Sequence, residues 1–208
     1  MAVNDEPMSE KTPSIAYLTA GAAGMYCGSC MHDNTLAAAL TKLGVDVQLV
    51  PTYTPIRTDE ENVSVDYVAF GGINVYLQER YSLFRWLPAW LDGILDQPWL
   101  INWLANRSFS TDATQLGALT VSMLQGRHGH QRKEIEKLVA WLKAHQRPDL
   151  IVLSNMLIAG CVPALKETLG APVVVTLQGD DIFLDDLPTK FKDQALAEIA
   201  RLVEYVDG

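Results

Sequence analysis

The chain has 208 residues, 49% apolar and 20% charged, which is the composition of a folded domain rather than a disordered one. Lys plus Arg number 16 and Asp plus Glu 25, a formal charge of −9, which argues against a nucleic-acid binder because phosphate contacts dominate that affinity. Three cysteines do not make a disulfide scaffold, and no stretch reaches the ~18 apolar residues of a spanning helix.

Residues 1–13 are polar and acidic, carrying Asn4, Asp5, Glu6 and Glu10 with no apolar core segment, and read as a flexible tail rather than a signal peptide. Ile15–Thr19 has the length and composition of a buried strand. The run Ala20-Gly21-Ala22-Ala23-Gly24 breaks regular structure, and a helix is expected from Ser29 to Leu43. Its apolar stripe reads as Leu36, Leu40 and Leu43, and Gly44 stops it. Val45–Val50 is the next strand, which completes a βαβ unit with parallel strands. Val63–Phe70 and Ile73–Leu77 flank Gly71-Gly72 and suggest a β-hairpin. Arg80–Phe109 holds four of the five tryptophans and is interrupted by Pro88 and Pro98, so short broken helices are expected there.

Thr111–Gln125 and Gln131–His145 read as helices, the second with Ile135, Leu138, Val139 and Leu142 on one face. Strand Leu150–Leu153, helix Leu157–Leu169 closed by Gly170, and strand Val173–Leu177 form a second βαβ unit. A last helix spans Phe191–Val206, with Ala195, Ile199, Leu202 and Val206 aligned. The pattern predicts an α/β three-layer, Rossmann-like sandwich on a mostly parallel sheet, with a hairpin and a helical Trp-rich insertion.

Ligands of such sheets bind beyond the carboxyl ends of the strands. Two segments fall there: the loop Ala20–Cys30, and Gln178-Gly179-Asp180-Asp181. The first ends in Cys27-Gly28-Ser29-Cys30 at a helix start, where free N–H groups favour an anion, although neither standard phosphate-loop pattern is present. The same four residues form a C-x-x-C, the spacing of a redox pair. With His32 they supply three metal ligands where a structural zinc takes four, so no metal is assigned. His32 either points into the crevice or, with Asp33, belongs to a solvated first turn. Asp180 and Asp181 offer either a catalytic carboxylate or a cap on the following turn. The Trp-rich segment reads as a pocket wall or a core under a lid, with peripheral membrane contact as the alternative.

The order of these pieces resembles the N-terminal domain of retaining, nucleotide-sugar-dependent glycosyltransferases of the family-four type, which have the GT-B fold. Cys27-Gly28, then the seven residues Ser29 to Thr35, then Leu36-Ala37 is similar to that family's first loop and helix. Leu40-Thr41-Lys42-Leu43-Gly44-Val45-Asp46-Val47 resembles its first helix end, and Pro148-Asp149-Leu150-Ile151-Val152 its "P-D-(I/V)-(I/V)" strand. Pro172 to Asp181 resembles "P-V-V-x-T-x-H-G-x-D", with Gln178 in place of the histidine and, earlier, Cys27 in place of a glycine. The resemblance implies that residues 14–208 are the acceptor-side half of a sugar transferase, with the donor domain absent from this sequence. It implies Gln178 and Asp180 as catalytic residues and Gly28 and Asp181 as substrate-binding, and the position of the two loops adds Gly24, Cys27, His32 and Gly179 as substrate-binding. The resemblance implies no cofactor or metal, a nucleotide-sugar donor held mainly by the missing domain, and a sugar or lipid-linked acceptor; the polar first residues and the lack of a spanning run separately predict a cytoplasmic location. Because Gln178 cannot take up a proton at neutral pH, a positioning role is expected of it. The alternatives are a small C-x-x-C redox protein and a Rossmann-like nucleotide-binding module.

Overall fold

The structure, a computed structural model, describes residues 12–21, 26–71, 75, 78 and 113–208. Four strands form one all-parallel sheet: β1 (Ser14–Thr19), β2 (Asp46–Pro51), β3 (Leu150–Leu153) and β4 (Val173–Val175), in the order β2-β1-β3-β4. Tyr17 pairs with Leu49 on one side and Val152 on the other, and Val152 pairs with Val174. Among the described residues the bounded α-helices are α1 (Gly28–Lys42), α2 (Ala113–Leu124), α3 (Arg132–His145), α4 (Val162–Leu169), α5 (Asp180–Asp185) and α6 (Thr189–Val203). This is the expected α/β Rossmann-like sandwich.

Period-two alternation sends the strand side chains to opposite faces. Ala16, Leu18, Val50, Ile151, Leu153 and Val173 enter the larger core, which α2, α3, α4 and α6 cover. Tyr17 and Leu49 enter a smaller one with Cys30, Ala37 and Ile56, on the α1 side. The α3 stripe of Ile135, Leu138, Val139 and Leu142 is buried as expected, and so are Ala195 and Leu202 of α6.

Four expectations need correction. The leucine stripe of α1 is not its buried face: Leu43 is 80% exposed, while Cys30, Asp33, Asn34 and Ala37 are buried. These four share the i, i+3, i+4, i+7 spacing, so the helix docks through small and polar side chains whose partners lie on β1 and the neighbouring loops. The segment 157–169 is not one helix. A 3₁₀ turn, Met156–Cys161, precedes α4, because Pro163 in the first turn of α4 lacks an N–H and its ring blocks continuation from upstream. Gly170 closes α4 at φ 69°, as expected. The strand at 173 ends at Val175, two residues early, and Leu177 is 75% exposed. Finally, Val63–Phe70 is not a hairpin arm. The Val65 and Ala69 amides donate to Leu49 and Pro51, and Ser64 forms one parallel bridge to Leu49, so the segment runs irregularly along the outer edge of β2. Val75 and Gln78, from the expected second arm and just beyond it, are helical. The Trp-rich segment and residues 1–11 of the tail lie outside the described residues. No described helix is long and apolar enough to cross a membrane.

Two glycines test this packing. A Cβ on Gly160 would collide with the backbone carbonyl of Met123, where neither partner is a flexible side chain. A Cβ on Gly170 meets nothing, and only its positive φ is strained. Gly160→Ala is therefore expected to cost about 2–3 kcal/mol by overpacking and Gly170→Ala about 1 kcal/mol, read as urea midpoints at constant slope.

Candidate functional site

The carboxyl ends of the strands are stitched together before any loop begins. The Thr52 amide and hydroxyl donate to the Thr19 carbonyl at 2.8 and 3.0 Å. The Ser154 amide donates to Leu18, and the Thr176 amide to Leu153. The Ser154 hydroxyl then takes the Ala20 amide at 3.0 Å. These contacts fix where the loops after β1, β3 and β4 leave the sheet.

From that base, one buried carboxylate gathers three elements. Asp33 of α1 is 0% exposed. Its Oδ1 accepts the Tyr17 hydroxyl at 2.8 Å and the Gln178 side-chain amide at 3.0 Å, and its Oδ2 accepts the Thr19 hydroxyl at 2.6 Å. Burying a carboxylate costs several kcal/mol unless donors replace water, and here three do. Burial first, then the Asp33 charge, pushes the Tyr17 hydroxyl well above its usual range, so Tyr17 stays a donor. The solvated first-turn reading thus fails for Asp33. It holds better for His32, whose side chain is 60% exposed with Nδ1 3.3 Å from Asp33. Asn34 is buried and pins residues 61–63: its Oδ1 accepts the Val63 amide and its Nδ2 donates to the Glu61 carbonyl.

Gln178 is oriented from both sides, since its Nε2 also reaches the Thr176 hydroxyl at 3.3 Å. With the amide nitrogen so occupied, the carbonyl oxygen is the end left to meet a ligand hydroxyl. Gly179 follows at φ 84°, a left-handed conformation that glycine adopts without strain, and it starts α5. Gly28 is exposed, and a Cβ there would meet nothing, so its smallness is not a packing requirement of the fold. Gly24 lies outside the described residues.

Asp180 and Asp181 separate. Asp181 is exposed, whereas Asp180 is 8% exposed and its Oδ2 accepts the Met156 amide at 3.2 Å. That bond satisfies one of the orphan donors at the start of the 3₁₀ turn. Asp180 therefore braces the β4–α5 loop against the end of β3. Burial, offset by the Met156 amide and reinforced by Asp181, raises its proton affinity above the usual carboxylate range.

At the same end of the sheet, against α2 and α5, lies an apolar cleft of about 370 Å³. Ala20 after β1, Tyr53 after β2, Asn155 and Leu157 after β3, Leu119 of α2 and Phe183 of α5 are among its walls. The chain leaves β1 toward β2 and later builds β3 and β4 on the other side, so β1/β3 is the topological switch point where α/β sheets bind ligands. The sequence reading reached the loops but missed Tyr53, Leu119 and Phe183, which have no motif of their own and meet only through the fold. Among the described residues no cluster of His, Cys, Asp and Glu could hold a metal ion.

No protein-family model matches the chain, and no curated protein matches it.

Two outcomes follow from the geometry. Asp33→Asn turns one acceptor oxygen toward the donors as an NH₂, and is expected to cost about 2–3 kcal/mol in urea unfolding. Asp180 holds its proton more tightly in the folded protein than in the unfolded chain, so stability falls as pH rises from the ordinary carboxylate range through the folded pKa. Asp180→Asn keeps an oxygen for the Met156 amide and removes the charge. It is expected to be no less stable at neutral pH and to lose that fall. Asp180→Ala orphans the amide and costs about 1–3 kcal/mol.

Proposed function

We propose that this chain is the acceptor-binding half of a retaining, metal-independent glycosyltransferase that uses a nucleotide-sugar. The observation that carries the reading is the Gln178–Asp33 hydrogen bond at 3.0 Å. It joins the two segments whose motifs resemble the family, the first loop and helix and the "T-x-H-G-x-D" loop, at the carboxyl end of the sheet. The cleft at that same end, apolar for most of its wall and polar at Asn155, is the kind of site that holds an orienting hydroxyl and a greasy remainder.

In this reading Gln178 positions a sugar hydroxyl through its carbonyl oxygen and takes no proton. Asp33, behind it, fixes its orientation, and Asp180 holds the loop in place. Cys27, Gly28, His32, Gly179 and Asp181 line the approach from solvent. The leaving diphosphate is stabilised mainly from a second Rossmann-like domain outside these 208 residues, through dipoles and cationic side chains. The acceptor is a sugar or a lipid-linked sugar. A cytoplasmic location belongs to the same reading, since cysteines this few do not indicate an oxidising compartment.

The test uses the 208-residue protein, UDP and octyl glucoside, followed by amide and side-chain NMR shifts. The glycoside is expected to shift the Gln178 side-chain amide and the Leu119 and Phe183 signals, and Gln178→Ala to weaken its binding about tenfold. UDP is expected to bind no more tightly than about 1 mM, and no nucleotide-sugar is expected to turn over. Turnover by this chain alone, or glycoside shifts confined to other surfaces, would sink the proposal. Tight UDP binding would favour a nucleotide-binding module instead.

A further inference from the structure

In the reading above Cys27 only lines the approach and Cys30 has no part, yet the helix start places the two against each other. Cys27 is the N-cap of α1, in extended conformation, and Cys30 is the third residue of the helix. An N-cap side chain and the third helical residue face each other across the first turn, which is why capping side chains reach the amide there. Both cysteines are free thiols. Cys27 is half-buried, and its Sγ lies 2.9 Å from the Ser29 hydroxyl. Cys30 is 1% exposed, and its thiol donates to the Ala20 carbonyl at 2.8 Å. One sulfur is thus within reach of solvent and the other stands behind it, holding the residue that forms one wall of the cleft.

We propose that Cys27 and Cys30 form a reversible dithiol–disulfide couple whose oxidation releases the Ala20 carbonyl and so alters the wall of the cleft. The proposal does not depend on the glycosyltransferase reading. The partner is a low-molecular-weight disulfide such as glutathione disulfide. The Cys27 thiolate attacks one sulfur of that disulfide, breaking its S–S bond and releasing one thiolate, which takes up the proton Cys27 lost. Cys30, losing its proton to solvent, then attacks the Cys27 sulfur. The second small thiol leaves as a thiolate and is protonated from solvent. Two protein thiols are oxidised to one disulfide, and one small disulfide is reduced to two thiols.

Thiol acidity supports this division of labour. Burial acts to raise the Cys27 thiol, but the Ser29 hydroxyl and the nearby Ser29 and Cys30 amides and Cys30 thiol outweigh it and bring it below the usual value. Cys27 makes no capping hydrogen bond of full geometry, so these groups act through proximity to the sulfur. Burial, then Cys27 itself and the Asp33 charge, push the Cys30 thiol up to about 12. A lowered outer thiol attacks, and a raised inner thiol resolves once the first bond has formed.

The experiment equilibrates the native protein over a series of glutathione/glutathione disulfide ratios, quenches with acid, and maps the cysteines by mass spectrometry. The expected result is a Cys27–Cys30 disulfide that forms and is reversed by dithiothreitol, with Cys161 untouched. Cys30→Ser is expected to stop at the Cys27–glutathione mixed disulfide, and Cys27→Ser to leave Cys30 unmodified. On oxidation the Ala20 amide is expected to exchange with solvent roughly fivefold faster as the neighbouring bond is lost. Mixed disulfide accumulating in the unsubstituted protein without an internal bond, or no reaction short of unfolding, overturns the couple. A disulfide that forms with no change in Ala20 exchange overturns the link to the cleft.

Discussion

The Asp33 carboxylate is the contact on which the rest of the site depends. It lies at 0% exposure under the amino-terminal turns of α1, and its oxygens take up donors from β1 and from the loop beyond β4. A buried carboxylate tolerates no partial arrangement, because each missing donor leaves a desolvated charge. This one group therefore fixes how α1 sits on the sheet and where Gln178 points. It also explains why the buried face of α1 is polar and small. The helix is positioned by directed bonds, with the apolar contacts of Ala37 and Cys30 filling the space between them.

Around that hub the carboxyl edge of the sheet has two characters. Toward α1 it is polar: Asp33, Gln178 and His32 with the helix start. Toward α2 and α5 it is apolar, with Leu119, Leu157 and Phe183 in the cleft wall. Ala20 belongs to both sides. Its amide is held by Ser154, its carbonyl by the Cys30 thiol, and its residue borders the cleft. The Cys30 sulfur is therefore joined to the cleft wall by a single hydrogen bond. Asp180 plays the matching part across the cleft, tying the loop after β4 to the turn after β3.

Much of the layout was legible from local pattern. The strands at 15–19, 45–50 and 150–153 and the α3 stripe follow from short apolar runs and 3.6-residue spacing. The glycine stops at Gly44 and Gly170 follow from backbone sterics, and both have positive φ. The errors have local causes too. The Leu36-Leu40-Leu43 stripe is apolar in sequence but turns partly to solvent, because Asp33 and Asn34 demand the buried face for their partners. The hairpin reading relied on Gly71-Gly72 and could not foresee that the edge of β2 would take the Val65 and Ala69 amides. The helix start at Asp180 and the break before Val162 depend on a bond to Met156 and on Pro163, and only the second was visible as a residue type.

By itself, the sequence determined the class of the fold, the parallel direction of its strands and the two loops at their carboxyl ends. These depend on propensity, periodicity and chain direction, which are local quantities. Tertiary structure alone decided which residues of those loops meet. Gln178 and Asp33 are separated by 145 positions, Cys30 holds a carbonyl ten residues back, and Asp180 serves an amide 24 residues earlier. Such pairings are set by burial, where every polar atom withdrawn from water must find the partner that the packing happens to bring.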